Sequence, residues 1–214
     1  MDAQIPFRLD QLRRLPRAFY LRPTLTVAQD LIGKILIRKR RGTMLAGRIV
    51  EAEAYRGEDD PASHAYRGKT KRNEVMFWEG GHLYVYFTYG MHYCCNVVTE
   101  REGIGHAILL RALEPLTGLT VMARNRGLNI RLPRTRYELC SGPARLCQAF
   151  AITSRENGID LCGDQMWIAE EVDVPKVRRI ARSTRVGIAR GVHHPWRFYL
   201  RNSPFISRGK PSRR

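Results

Sequence analysis

Four apolar-rich runs punctuate the chain, KILIRKR (34–40), MLAGRIVEAEAY (44–55), HLYVYFTYG (82–90) and MHYCCNVVTE (91–100), and apolar and polar residues alternate most clearly in RIVEAEAY. Period-two alternation is the mark of strands with one buried face. Arg41-Gly42 between the first pair and Gly90 between the second predict two antiparallel hairpins, the second with Tyr89 at or near its tip. HAILLRALEP (106–115) reads as a buried strand ended by Pro115, and TRVGIA (184–189) and WRFYLR (196–201) as strands returning to the same sheet. Helical patterning is confined to short pieces. Thr26 to Ile32 predicts a helix capped by Thr26 and closed by Gly33, Leu116 to Asn125 has helical character, and Ser141-Gly142-Pro143 predicts the start of a helix through ARLCQAFAI. Residues 59 to 81 are polar and turn-rich, which predicts a long loop, and long loops in small domains tend to carry function.

This mixture predicts an α+β fold around a mainly antiparallel sheet with a protruding β-hairpin. Alternating βαβ units are not indicated, and there is no glycine-rich nucleotide loop. The length of 214 residues suits one domain, read as 1–207, followed by a short basic tail, 208–214, expected to be flexible.

Charge changes the picture. The chain holds 37 Lys and Arg against 20 Asp and Glu, a formal +17 that implies a polyanionic partner. Such an excess attracts phosphate backbones without reading sequence, so it leaves DNA and RNA both open. A membrane partner is not expected, since no basic amphipathic helix is flanked by lipid-seeking aromatics and no stretch nears the roughly 20 apolar residues of a span. The start, MDAQIPFRLDQLRRLP, lacks the apolar core of a secretion signal, so an intracellular protein is expected. That means the cytoplasm or nucleoid of a prokaryote, or the nucleus of a eukaryote. The five cysteines form no C-x-x-C pair, and neither a disulfide framework nor a metal or other cofactor is expected.

Candidate chemistry sits in RIVEAEAY. Alternation puts Glu51, Glu53 and Tyr55 on one strand face and Val50, Ala52 and Ala54 on the other. Carboxylates two apart on a strand are separated by about 7 Å, inside the roughly 6.5–9.5 Å range of an inverting acid and base at a glycosidic bond. Solvated surface, or pairing with the abundant arginines, accounts for the same spacing. Arg111 in ILLRALEP carries a cation in an apolar strand and needs an anion beside it; Glu53 is a candidate. Tyr84 and Tyr86 share a strand face, as core packing or as a stacking surface for a flat ligand. Tyr89 beside a turn glycine has little core to enter and reads as a wedge for a duplex or as an exposed turn residue. A lone His64 is more often a loop histidine bonded to the backbone than a catalyst, and Asn96 reads as a strand residue with a satisfied amide or as a fixed amide that reads a base edge.

Those blocks, followed in order by SHAYRG with His64, RNEVMF, LYVYFTYGMHYCCNV, LLRALEP, ELCSGPARLCQA, RVGIA and RFYLRNSPFIS, resemble the alkyladenine (3-methyladenine) DNA glycosylases from about Ala28 to Ser207. The resemblance implies a single mixed α/β domain around a curved antiparallel sheet, acting as a monomer on double-stranded DNA that contains damaged purines. It implies Glu53 as general base, holding water with Arg111 and the main-chain carbonyl of Val186. Tyr55, His64 and Tyr86 match the residues around the flipped base, Tyr89 the intercalating tyrosine, and Asn96 the asparagine that disfavours guanine. The long N-terminal extension of vertebrate relatives is absent, which fits a bacterial or archaeal source. Two other readings stay open on the residues alone: a non-catalytic, basic nucleic-acid-binding module, and a carbohydrate O-glycosidase that uses Glu51 and Glu53.

Overall fold

The long strand β3 (Thr43–Arg56) organises the molecule because it changes partners along its length. In the computed structural model, which describes residues 11–40, 42–172 and 179–212, its first half pairs with β2 (Ile35–Arg40). Three residues further on, Glu51 to Glu53 pair instead with β9 (Arg197–Leu200), and the opposite edge runs against β6 (His106–Thr117) for nearly the whole length. Beyond β6 come β5 (His92–Thr99) and β4 (Leu83–Thr88); beyond β2 come β7 (Met166–Glu171) and β1 (Leu12–Arg14). Among the described residues β8 (Ile180–Ser183) pairs only with β9 and every pairing is antiparallel, so the sheet is the α+β architecture expected.

One face of this sheet is dry. Leu83, Val85, Cys95, Val97, Ile108 and Leu110 point from it into the main core, against three helices, α1 (Thr24–Leu31), α2 (Leu119–Asn125) and α3 (Pro143–Ala149). The intervening residues, Tyr84, Tyr86, Asn96, Leu109, Glu53 and Tyr55, therefore lie on the opposite face. There the 59–81 loop packs Ala65, Val75 and Met76 onto Tyr84 and Val98. Helices thus stabilise one side and leave the other for polar and aromatic side chains. Among the described residues, no helix is long and apolar enough to cross a membrane.

Several local expectations are corrected. The helix expected from Thr26 starts at Thr24, and Thr26 does not cap it; the Thr24 hydroxyl instead donates to Glu100 at 2.6 Å. The α3 cap position is Gly142, at φ +139, while the Ser141 hydroxyl accepts from Arg145. Pro115 does not end β6. The register slips between Ala46 and Gly47, opposite Pro115, and such an irregularity tolerates a residue without an N–H. Helical structure after it begins only at Leu119. TRVGIA is a loop with one isolated bridge, Val186 to Pro211, because the Val186 N–H is given to a side chain and not to a ladder. Residues 1–10, Arg41 of the expected turn and Arg213-Arg214 of the tail lie outside the described residues. Ser212 is held, its N–H on the Arg185 carbonyl and its hydroxyl on the Ile188 N–H, partners that tail composition does not reveal.

Candidate active site

Tyr84, Asn96, Leu109 and Glu53 stand opposite one another in consecutive strands β4, β5, β6 and β3, so strand register alone lines them up across the sheet. Glu53 is fully buried, and three donors meet it. Its Oε1 accepts the Val186 N–H at 2.7 Å, and its Oε2 accepts Arg111 Nη1 at 3.2 Å and the Tyr55 hydroxyl at 3.0 Å. Burial pushes its pKa up from the usual carboxylate value, while Arg111, the Val186 amide and Tyr55 pull the other way. Arg111 feels burial as an opposing effect too, but Glu53 and Glu51 outweigh it and push the guanidinium pKa up.

Two irregularities set this geometry. Ile49 pairs with Leu113, Glu51 with Ala112 and Ala52 with Leu110, so Val50 on one strand and Arg111 on the other are each an extra residue. Bulges re-aim side chains. Val50 accordingly leaves the face shared by Ala52 and Ala54 and packs with Ala112 and Phe205, which corrects the simple alternation expected. Arg111 turns toward both carboxylates.

Glu51 is fully buried and has a different environment from Glu53. It accepts Arg111 Nε at 3.0 Å, Arg197 Nε at 2.7 Å, and both the N–H and the hydroxyl of Ser207, at 2.6 and 2.9 Å. With both oxygens occupied and an arginine shared with Glu53, it is not the acid of a water-separated carboxylate pair. The O-glycosidase reading loses its basis there.

Beside Glu53 lies a cavity of about 370 Å³ walled by Tyr55, His64, Tyr84, Tyr86, Asn96, Arg111 and Val186, with Tyr89 at its edge. Every site residue expected from sequence except Glu53 lines it, and Glu53 touches it through Tyr55, Arg111 and Val186. Tyr84 and Tyr86 stack at 5.6 Å between centroids, and His64 meets Tyr86 edge-on at 4.5 Å. The His64 Nδ1 is 3.0 Å from the Tyr84 hydroxyl. Burial, then the Arg72 charge, holds the His64 pKa below its usual value, so the ring is neutral at pH 7. Burial pushes Tyr84 up to about 12, and it raises Tyr55 and Tyr86 as well, so all three phenols remain protonated. Asn96 gives its Nδ2 to the Tyr84 carbonyl at 3.1 Å, which fixes the orientation of the amide against the cavity.

Tyr89 is 84% exposed at the tip of the β4–β5 hairpin. Its φ is +51 and that of Gly90 is +66, two successive left-handed residues in the three-residue connection between Thr88 and His92, and the Met91 N–H reaches back to the Thr88 carbonyl at 3.3 Å. A bulky residue held at positive φ is strained, and strain of this kind concentrates at functional positions. On the neighbouring loop Arg67, Lys69, Lys71 and Arg72 are all exposed.

Sequence reading missed four residues of this region. Arg197 and Ser207 fix Glu51, while Arg185 and Asp60 form a fully buried ion pair behind Tyr55. Nothing marks Arg185 or Arg197 among 37 cationic residues, and Asp60 sits in a loop rich in acids. Among the described residues, no group of three or more His, Cys, Asp or Glu is arranged to hold a metal.

Comparison with known proteins is consistent across the chain. A family model for methylpurine-DNA glycosylases matches residues 18–204. A protein of Carboxydothermus hydrogenoformans, provisionally named a 3-methyladenine DNA glycosylase, is 49% identical over 194 residues, 91% of this chain and 98% of the relative. Relatives with the same provisional name from Methanocella arvoryzae and Chlorobium luteolum are 46% and 45% identical, and the matches cover 97% and 100% of their lengths.

Proposed function

The chain belongs to the methylpurine-DNA glycosylase family, and from that premise we propose that its cavity takes a damaged purine turned out of duplex DNA while Glu53 directs water onto the sugar. The activity is that of a monofunctional DNA glycosylase for alkylated bases of the 3-methyladenine type. The finer reading, which includes 7-methylguanine and hypoxanthine as substrates, rests chiefly on one observation: a fully buried carboxylate, met by an arginine and a backbone N–H, beside an aromatic-walled cavity.

Exposed Arg67, Lys69, Lys71 and Arg72 beside the cavity supply phosphate contacts at low sequence preference. Tyr89 enters the minor groove and fills the gap left by the extruded nucleotide. In the cavity Tyr55, Tyr86 and His64 surround the base, and the tyrosine faces attract an alkylated, cationic purine. Asn96 disfavours guanine by crowding its 2-amino group, a clash that 7-methylguanine shares and offsets with its positive charge and weakened glycosidic bond. The bond between C1′ and the base nitrogen then breaks, and its electron pair leaves with the base. Water held by Glu53, Arg111 and the Val186 carbonyl adds its oxygen to C1′ and gives a proton to Glu53, leaving an abasic site. A cationic base leaves without further help, so it should be released faster than neutral hypoxanthine. One chain supplies every group named, and a monomer suffices.

The test is incubation with duplexes that each carry one lesion, followed by alkali. Strand breaks at the lesion are expected; salt-sensitive binding with intact strands for every lesion would leave only a nucleic-acid-binding module. Two further outcomes follow from the geometry. Because burial raises the Glu53 pKa and the base must be ionised, the single-turnover rate should fall on acidification with a midpoint above that of an ordinary carboxylate. A rate that stays flat down to the usual carboxylate range would contradict this. Tyr89→Ser should reduce excision more than it reduces binding to undamaged duplex, since it removes a wedge and leaves the cations; equal losses in both would count against intercalation.

A further inference from the structure

Asp60 and Arg185 are the most deeply buried ion pair among the described residues, both side chains at 0% exposure, yet neither lines the cavity. Removing two charges from water is expensive, and a pair placed there needs close geometry and further hydrogen bonds. Arg185 has both. Its Nη1 and Nη2 each donate to one Asp60 oxygen, Nη2 at 2.7 Å; Nη1 also reaches the Ala54 carbonyl at 3.0 Å and Nη2 the Gly191 carbonyl at 3.3 Å. The loop is shaped to this fork. Gly191 has φ +59, and a Cβ there would come within 3.0 Å of Asp60 Oδ1 and 3.1 Å of Arg185 Nη2.

Three parts of the site converge on the same guanidinium. Ala54, whose carbonyl it holds, lies between Glu53 and Tyr55 in sequence. The Tyr55 ring lies 4.6 Å from the guanidinium carbon, and Trp196 lies 5.1 Å from it. The next residue in the chain, Val186, donates its N–H to Glu53 at 2.7 Å, and Gly209 lies so close to it that a Cβ there would meet the Val186 Cγ1 at 2.4 Å. We infer that Arg185, clamped by Asp60, is a positioning residue that backs the Tyr55 ring and holds the Val186 amide on the Glu53 carboxylate. Its importance to excision rests on the reading of Glu53 as the base, but the geometric claim does not.

A second buried pair on the same chain provides the comparison. Arg38 and Glu156 bind at 2.5 Å and Arg38 also holds the Phe150 carbonyl, but neither lines the cavity. Arg185→Lys keeps the charge and loses the two-pronged, stacked geometry. Besides Val186, the groups that face Glu53 are Arg111, Glu51, Tyr55 and Tyr86, and all are left in place. The experiment is carbon-13 NMR of protein labelled at the glutamate carboxyl carbons, with the Glu53 signal identified by its loss in Glu53→Gln. In Arg185→Lys the titration midpoint of Glu53 should rise by about one pH unit, the worth of one hydrogen bond to the ionised form, and the acid limb of excision should move with it. Arg38→Lys should lower thermal stability and leave the midpoint where it is. An unchanged Glu53 midpoint in Arg185→Lys overturns the inference, as does an equal shift in Arg38→Lys. If Arg185→Lys gives no folded spectrum, Asp60→Asn carries the same expectation, and failure of both to fold would make the pair a plain structural tie. If the unmodified protein excises no lesion, the excision reading fails, and the NMR comparison still decides the clamp.

Discussion

Glu53→Gln should lower the single-turnover excision rate by about 10²- to 10⁴-fold at neutral pH, the usual contribution of a positioned general base. The substitution is close to isosteric, and most of the network survives it. The Val186 N–H, now 2.7 Å from Oε1, can donate to the new amide oxygen, and Arg111 keeps Glu51 at 3.0 Å as its counterion. What is lost is a group able to take a proton. The amide NH₂ also turns a donor toward Arg111 Nη1, which now donates to Oε2, while the Tyr55 hydroxyl can rotate to accept. Binding to lesion-containing duplex should change little, because the exposed cations proposed to meet phosphate, Arg67, Lys69, Lys71 and Arg72, lie elsewhere. Excision within tenfold of the unmodified rate would remove Glu53 from the mechanism. A parallel collapse of binding would show that the substitution had damaged the fold.

Much of this site was legible because the sheet obeys a period of two. Alternation in LYVYFT put Tyr84 and Tyr86 on one face, and the register of β4, β5, β6 and β3 did the rest by bringing Asn96 and Glu53 into line with Tyr84. Arg111 announced itself as a lone cation in an apolar run, and it is indeed held by carboxylates. The illegible parts depend on tertiary partners. The bulges at Val50 and Arg111 leave no local signature, so the alternation that places Glu51 and Glu53 on one face could not say that both share one arginine. TRVGIA carries a strand's composition, but a buried fork on Asp60 and a turn at Gly187, φ +73, make it the loop that delivers Val186. Arg185, Arg197 and Ser207 gain their roles from residues more than 120 positions away in sequence, and no local pattern encodes that.

Arg111 separates the chemistry of the site from its stability, and its removal has the largest expected effect on the fold. Glu51 retains Arg197 and Ser207 when Arg111 is replaced by Met, a residue of comparable reach. Glu53 retains only the Val186 N–H and the Tyr55 hydroxyl, neither of them a charge. Breaking a buried pair from one side costs about 3–5 kcal/mol, and in a chain of this size that is a fall in Tm of roughly 10 °C. The loss should also depend on pH, with a definite sign. Burial already raises the folded-state pKa of Glu53, and the Arg111 charge does most to lower it, so Arg111→Met raises it further. Between the unfolded and folded pKa values the native state then binds more protons than the unfolded chain, so stability falls as pH rises through that window. The Tm deficit of Arg111→Met should therefore be largest at neutral to alkaline pH and shrink on acidification below the folded pKa of Glu53. Excision should fail at every pH, since protonating Glu53 relieves the repulsive burial and abolishes the base in the same step. A Tm deficit independent of pH would mean that Glu53 does not carry the charge that Arg111 balances, and the account of the site as a buried, ionised carboxylate would have to be abandoned.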